Sequence, residues 1–198
     1  MRPKSAFLGQ YDLNYTCEIV YYARAKGELH ALREATPLVP REALRGSFRE
    51  LALADYFRSL VDRLSPQGPD CAEWHALLSD ALDRLEALRP QHRVPLFLAF
   101  EMDVLHLLGL DPEIEADAGM FVLRGERRIP ISRDVAACLR TLARSGDSRL
   151  AAGAASAPSV LLDAARAVGV YYEFHVDCAS DVRRTVLRMI LKNNEEGQ

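Results

Sequence analysis

A stretch of period-two alternation that turns at Lys26-Gly27 and gives way to long helical patterns constrains this chain more than any other feature. Tyr15, Cys17, Ile19, Tyr21 and Ala23 fall on one face of an extended strand, and Thr16, Glu18, Val20, Tyr22 and Arg24 fall on the other. Gly27 can adopt the positive φ of a tight hairpin turn, after which Leu29 to Glu34 resumes the alternation, with His30 and Leu32 opposite Ala31 and Arg33. The expected strands are therefore Tyr15 to Arg24 and Leu29 to Glu34. With Arg2-Pro3-Lys4-Ser5 before it and helices after it, such a hairpin reads as the tail end of a small barrel.

The remainder is patterned for helices. Leu44, Phe48, Leu51, Phe57, Leu60, Val61 and Leu64 recur at spacings of three and four, which predicts a helix from Glu42 to Leu64 with that stripe buried. Ser65-Pro66-Gln67-Gly68-Pro69 stops it. A second helix is expected from about Ala72 to Leu88, ended by Arg89-Pro90. The third, Val94 to Leu108, is apolar nearly all round and should be central. Ser132 is placed to cap a helix through Arg144, Pro158 or Ser159 begins one that reaches Phe174, and Asp181 begins the last. Ala151 to Ala157 reads as a small-residue linker or a loose turn. Val39-Pro40 should turn the chain so that Leu38 and Val39 pack near Leu44 and Phe48.

Charge and composition narrow the function classes. The segment from residue 1 to 49 carries a net charge of +3, while the whole chain is −3, so a basic front end precedes an acidic body. That division suits a protein that touches nucleic acid with one end and proteins with the other. The longest apolar run, Val94 to Leu110, contains Glu101, Asp103 and His106, which argues against a membrane span. Arg2, Lys4 and Asp12 bracket only Ala6-Phe7-Leu8, so no secretory leader is expected and the location expected is cytoplasmic. Cys17, Cys71, Cys138 and Cys178 form no Cys-x-x-Cys pair and read as reduced thiols. Nucleophile elbows, phosphate loops and dinucleotide glycine patterns are missing, and Asp103 with His106 is an ordinary acid–histidine neighbour pair, so catalysis is not expected. A small hydrolase built on Asp103 and His106 is the reading the sequence supports least.

Three motifs, in order along the chain, carry a family resemblance. Arg2-Pro3-Lys4-Ser5 with Gly27-Glu28-Leu29 and Leu32-Arg33-Glu34 is similar to the junction between barrel and helical domain in the bacterial recombination mediator family RecO. Phe100-Glu101 with Leu105, Leu107, Leu108 and Gly109 resembles that family's phenylalanine-glutamate helix. Tyr171-Tyr172-Glu173-Phe174-His175 resembles its late helix ending in histidine.

The resemblance implies an α+β, mainly α fold. Residues 1–40 would be the remnant of an OB-type β-barrel, with only its last two or three strands legible, and residues 41–198 a helical domain. Many members carry a four-cysteine zinc module after the phenylalanine-glutamate helix. Here Asp111 to Ile131 has no cysteine, and Met120 to Leu123, Arg124-Gly125-Glu126 and Arg127 to Ile131 read as a metal-free hairpin in its place. No cofactor or metal is expected. The implied function is DNA repair by homologous recombination: binding single- and double-stranded DNA, associating with RecR and with the C-terminal tail of the single-stranded-DNA-binding protein, and helping to load RecA on coated gaps. Candidate DNA contacts are Arg2, Lys4, Arg24, Lys26 and Arg33 at the front, with Arg183, Arg184, Arg188 and Lys192 on the last helix. Tyr11, Tyr15, Tyr21 and Tyr22 could stack on bases or pack within the barrel. The competing reading is a helical protein-interaction module that has lost DNA binding.

Overall fold

The computed structural model describes residues 12–24, 29–66, 71–115, 119–122, 128–144, 146, 148–176 and 180–191. Two strands, β1 (Thr16–Tyr22) and β2 (Ala31–Val39), form an antiparallel ribbon. β2 runs on to Val39, well past the expected end at Glu34. The extension past Glu34 carries Pro37 and an extra residue at Leu38, opposite the Thr16/Cys17 step, which break the alternation there, while a second register shift leaves Arg33 as an extra residue opposite the Val20/Tyr21 step. Leu38 and Val39 are exposed within the strand and are not buried against the first helix, and Phe48 is 74% exposed. The expected turn at Lys26-Gly27 lies outside the described residues.

A short 3-10 helix, Glu42–Gly46, buries Leu44 before Ser47 restarts the chain as α1 (Phe48–Leu64). The single helix expected from Glu42 is thus two pieces. Ser47 is extended, which interrupts the helical backbone between them. Then come α2 (Ala72–Glu86), a 3-10 turn at Pro90–His92 and α3 (Arg93–Leu107). α3 is buried from Arg93 to Met102, and Val104 and Leu105 are buried too, so it lies at the centre of the helical body as its composition predicts. Phe100 stacks on Phe57 of α1 with centroids 4.0 Å apart, and Tyr56 stacks on Phe97 at 5.2 Å. Such pairs add about 0.5–1.5 kcal/mol each beyond the apolar area they bury.

After α3, three short strands, β3 (Glu113–Glu115), β4 (Met120–Val122) and β5 (Arg128–Pro130), make an antiparallel sheet in that order. The expected hairpin corresponds to β4 and β5, with its turn outside the described residues. β3 is the unexpected strand: Glu113-Ile114-Glu115 alternates for only three residues, too few to read as a strand before its partner is known. Phe121 of β4 is fully buried and packs edge-on against Tyr171 at 5.3 Å, which fastens the sheet to the helices.

Four helices complete the described chain: α4 (Arg133–Leu142), α5 (Ser148–Ala154), α6 (Pro158–His175) and α7 (Ser180–Leu191). The Ser132 Oγ accepts from the Val135 N–H at 3.2 Å, the expected cap. The stretch from Ala151 is no linker. α5 takes in Ala151 to Ala154, with Leu150 and Gly153 buried, because small residues let two neighbours come close. A Cβ at Gly153 would lie 2.7 Å from Leu142 Cδ2 and 3.2 Å from Pro95 Cβ. Among the described residues no helix is long and apolar enough to cross a membrane.

Candidate nucleic-acid interface

The ribbon presents two chemically different faces. Direct partners in an antiparallel pair share a face, so Cys17, Ile19 and Tyr21 line up with Pro37, Ala35 and Leu32 on an apolar side. Glu18, Val20 and Tyr22 lie with Thr36, Glu34 and Ala31 on the other. Ile19, Val20, Tyr21 and Tyr22 are all exposed. The cationic and aromatic groups gather towards one end. The Arg24 N–H donates to His30 Nδ1 at 3.2 Å, the His30 ring stacks on Tyr21 at 5.2 Å, and the Arg33 guanidinium lies 5.8 Å from the centroid of the Tyr22 ring. The bulge at Val20/Tyr21 is what brings Arg33 beside Tyr22, since an unshifted register would carry it elsewhere. Planar rings next to guanidinium groups, both open to solvent, can stack on bases and pair with phosphates.

A buried arginine fixes this ribbon to the helical body. Arg41 is 3% exposed and sits in the left-handed region at φ 45°, as does Asn14 at φ 66°. Its Nε donates to Asp83 of α2 at 2.7 Å, and its Nη1 donates to the Asn14 carbonyl at 3.0 Å and to Thr16 Oγ1 at 2.8 Å. A left-handed backbone at a non-glycine residue costs of order 1–3 kcal/mol, so the surrounding bonds must hold it. Arg45 adds an ion pair to Asp12 at 2.6 Å and lies 5.2 Å from the centroid of the Tyr15 ring. Tyr15 is therefore partly covered at the junction, while Tyr21 and Tyr22 stay open; Tyr11 lies outside the described residues. Nothing local in the sequence marks Arg41 for this role, because its three partners come from α2 and from the start of β1.

The candidate DNA contacts divide. Arg24 and Arg33 stand exposed at the same end of the ribbon. Arg184 and Arg188 are exposed on α7, with Arg184 paired to Asp181 at 2.5 Å and to Glu173 at 3.6 Å. Arg2, Lys4, Lys26 and Lys192 lie outside the described residues. Arg183 must be withdrawn from the set. It is 6% exposed, and its guanidinium donates to both carboxylate oxygens of Glu101 at 2.7 Å and to the Ala165 carbonyl at 2.9 Å. A guanidinium this deeply buried and bonded to the core is out of a phosphate's reach.

That pair is the polar centre of the helical body. Glu101 also accepts from the Tyr56 hydroxyl at 2.6 Å, and its backbone carbonyl accepts from the Tyr172 hydroxyl at 2.8 Å, so α1, α3, α6 and α7 meet at one residue. Burial first, and then the neighbouring Glu101 charge, push the Tyr56 hydroxyl well above its usual range. For Arg183 burial pulls the other way, but the Glu101 carboxylate outweighs it and raises the guanidinium further. The phenylalanine-glutamate and double-tyrosine motifs are thus packing devices: Phe100 and Glu101 hold α1 and α7, Tyr172 holds α6, and Tyr171 donates to the Leu110 carbonyl at 3.1 Å.

The acid–histidine pair does not form. Asp103 is bound by Arg149 of α5, and His106 Nδ1 lies 3.0 Å from Asp111 Oδ1. Among the described residues no three or more His, Cys, Asp or Glu side chains converge in a way that could hold a metal.

A family model described as "Recombination protein O C terminal" matches residues 45–180. Over 91 residues, 46% of this chain and 36% of its own length, the DNA repair protein RecO of Pelobacter propionicus (strain DSM 2379 / NBRC 103807 / OttBd1) is 35% identical. The chain therefore aligns with little more than a third of that curated relative. No solved structure matches. Since the family model takes in α1 to α6, with Glu101, Tyr56 and Tyr172 among its matched residues, this chain belongs to the Recombination protein O C-terminal family.

Proposed function

We propose that this chain is a cytoplasmic DNA-repair factor that mediates homologous recombination: it binds single- and double-stranded DNA and, with RecR, helps load RecA on gaps coated by the single-stranded-DNA-binding protein, whose acidic C-terminal tail it engages. It does so by binding, without catalysis, cofactor or metal. The observation that carries this reading is the family match over residues 45–180, joined by a relative named as a DNA repair protein. The ribbon supports it, because its exposed Tyr21 and Tyr22 stand beside Arg24, His30 and Arg33 as a stacking platform stands beside phosphate contacts. Its apolar face supports reading residues 1–40 as part of an OB-type barrel and residues 41–198 as the helical domain, since barrel strands turn such a face inward.

Titration of the chain against labelled oligothymidine over a range of salt tests the proposal. Binding should weaken as salt rises, and Arg24→Glu with Arg33→Glu should lower the salt slope by about 1.4, or ~0.7 for each phosphate no longer neutralised. A chain that binds no oligonucleotide even at low salt would instead be a helical protein-interaction module. Stimulation of RecA assembly on coated single strands in the presence of RecR tests the mediator step itself.

A further inference from the structure

α4 turns its apolar side inward, burying Val135, Ala136, Cys138, Leu139 and Leu142. Its outer side carries Arg133, Ala137 and Arg140, with Arg144 just past the helix end, all exposed. On a helix of 100° per residue Arg133 and Arg140 lie about 20° apart around the axis and roughly 10 Å apart along it, and Arg144 follows at the helix end. Most surface arginines described elsewhere meet a carboxylate, among them Arg45, Arg58, Arg128, Arg166 and Arg184. Arg133, Arg140 and Arg144 make no ion pair among the described residues. Arg140 and Arg144 also edge a cleft of about 640 Å³, floored by Pro112, Ile114, Ala137 and Ala143.

From this we infer a second nucleic-acid contact on the helical body: the outer face of α4 takes the phosphodiester backbone of a single strand, with a sugar or base resting in the cleft. The inference rests on the proposal that the chain works on DNA. Guanidinium groups pair with phosphate oxygens through two parallel N–H donors, and two of them on one helix face with a third at the helix end form a track that reads charge and not sequence. The track also lies apart from the ribbon. Arg41 ties the ribbon to α2, whereas α4 packs on α3, α5, α6 and β3, and α3 stands between α2 and α4. One chain can therefore hold two stretches of strand at once.

The test is calorimetric titration of the whole chain with oligothymidine of about 12 nucleotides, within the range of sites such surfaces cover. The unaltered chain should take up two strands. The triple variant Arg133→Gln, Arg140→Gln, Arg144→Gln should take up one, with its salt slope lower by ~2 and each phosphate pairing worth about fivefold in affinity at 0.1 M salt. The ribbon variant Arg24→Glu with Arg33→Glu should also keep one. Since the three arginines are exposed, unchanged thermal unfolding would show that the triple variant is folded. Equal stoichiometry and slope for the triple variant and the unaltered chain would overturn the second site while leaving the ribbon site intact. Loss of binding to an oligo-aspartate peptide with no loss for oligothymidine would overturn it in favour of an acidic protein segment. Absence of any oligothymidine binding in the unaltered chain would sink the DNA reading as well.

Discussion

Arg183 and Glu101 face each other 82 positions apart in sequence, joined by two hydrogen bonds of 2.7 Å with both side chains buried. The pair locks α7 onto α3. Taking both charges out of water is costly, and their mutual attraction, with the bonds from the Tyr56 hydroxyl and to the Ala165 carbonyl, offsets that cost.

Removing one partner should cost more than removing both. Glu101→Ala leaves the Arg183 guanidinium buried and uncompensated and should lower stability by about 3–5 kcal/mol in urea unfolding, whereas Glu101→Leu with Arg183→Met should recover most of that loss. A single variant no weaker than the double one would mean that the pair is not coupled.

Stability should fall at alkaline pH through Tyr56. Its hydroxyl ordinarily titrates near 10.0 and is raised well above that in the fold, by burial first and by Glu101 next. Between the two values the unfolded chain has lost its proton while the folded chain keeps it, so the folded state binds more protons and loses stability as pH rises. The contribution is therefore complete below about pH 10 and is lost as pH climbs through the raised value. Tyr56→Phe should flatten this decline in pH-dependent unfolding, at a cost of about 1.5–3 kcal/mol near neutrality for the missing bond to the carboxylate.

Gly169→Ala should destabilise, against the usual gain of about 1 kcal/mol for alanine over glycine within a helix. The added Cβ would meet Arg183 Nη1 at 2.6 Å, and that guanidinium cannot retreat while Glu101 and the Ala165 carbonyl hold it. Combined with Arg183→Met, the same alanine should become neutral or favourable in thermal unfolding.

Arg41→Ala should release the ribbon while the helical body stays folded. An isolated two-stranded hairpin is marginal in water, and Arg41 supplies the bonds to Asp83, Asn14 and Thr16 that hold this one. With bonds to charged groups worth about 1.5–3 kcal/mol, amide hydrogen exchange in β1 and β2 should quicken by roughly 10- to 100-fold. Exchange in α3 should not change. Equal acceleration in α3 would show that ribbon and body open together.

Periodicity and local chemistry were enough to read some parts of this protein directly from its sequence. The all-round apolarity of Val94 to Leu105 marks a central helix because no face of it tolerates water. Ser132 marks a helix start because its hydroxyl reaches a backbone N–H three residues on. The alternation from Tyr15 marks a strand whose later partner, β2, is foreseen only as far as Glu34, because Pro37 and the extra residue at Leu38 break the period beyond it. Tertiary structure alone decided the rest. α5 has no apolar stripe to read, and its small residues matter only once Leu142 and Pro95 press against Gly153. β3 is too short to declare itself without β4. Arg183 and Arg184 stand side by side in the sequence, yet the rotation of about 100° between neighbours on a helix sends the first into the core to meet Glu101 and the second to solvent. Charge is written in the sequence, but whether it faces water or another charge is set by what packs above it, and that depends on residues far away along the chain.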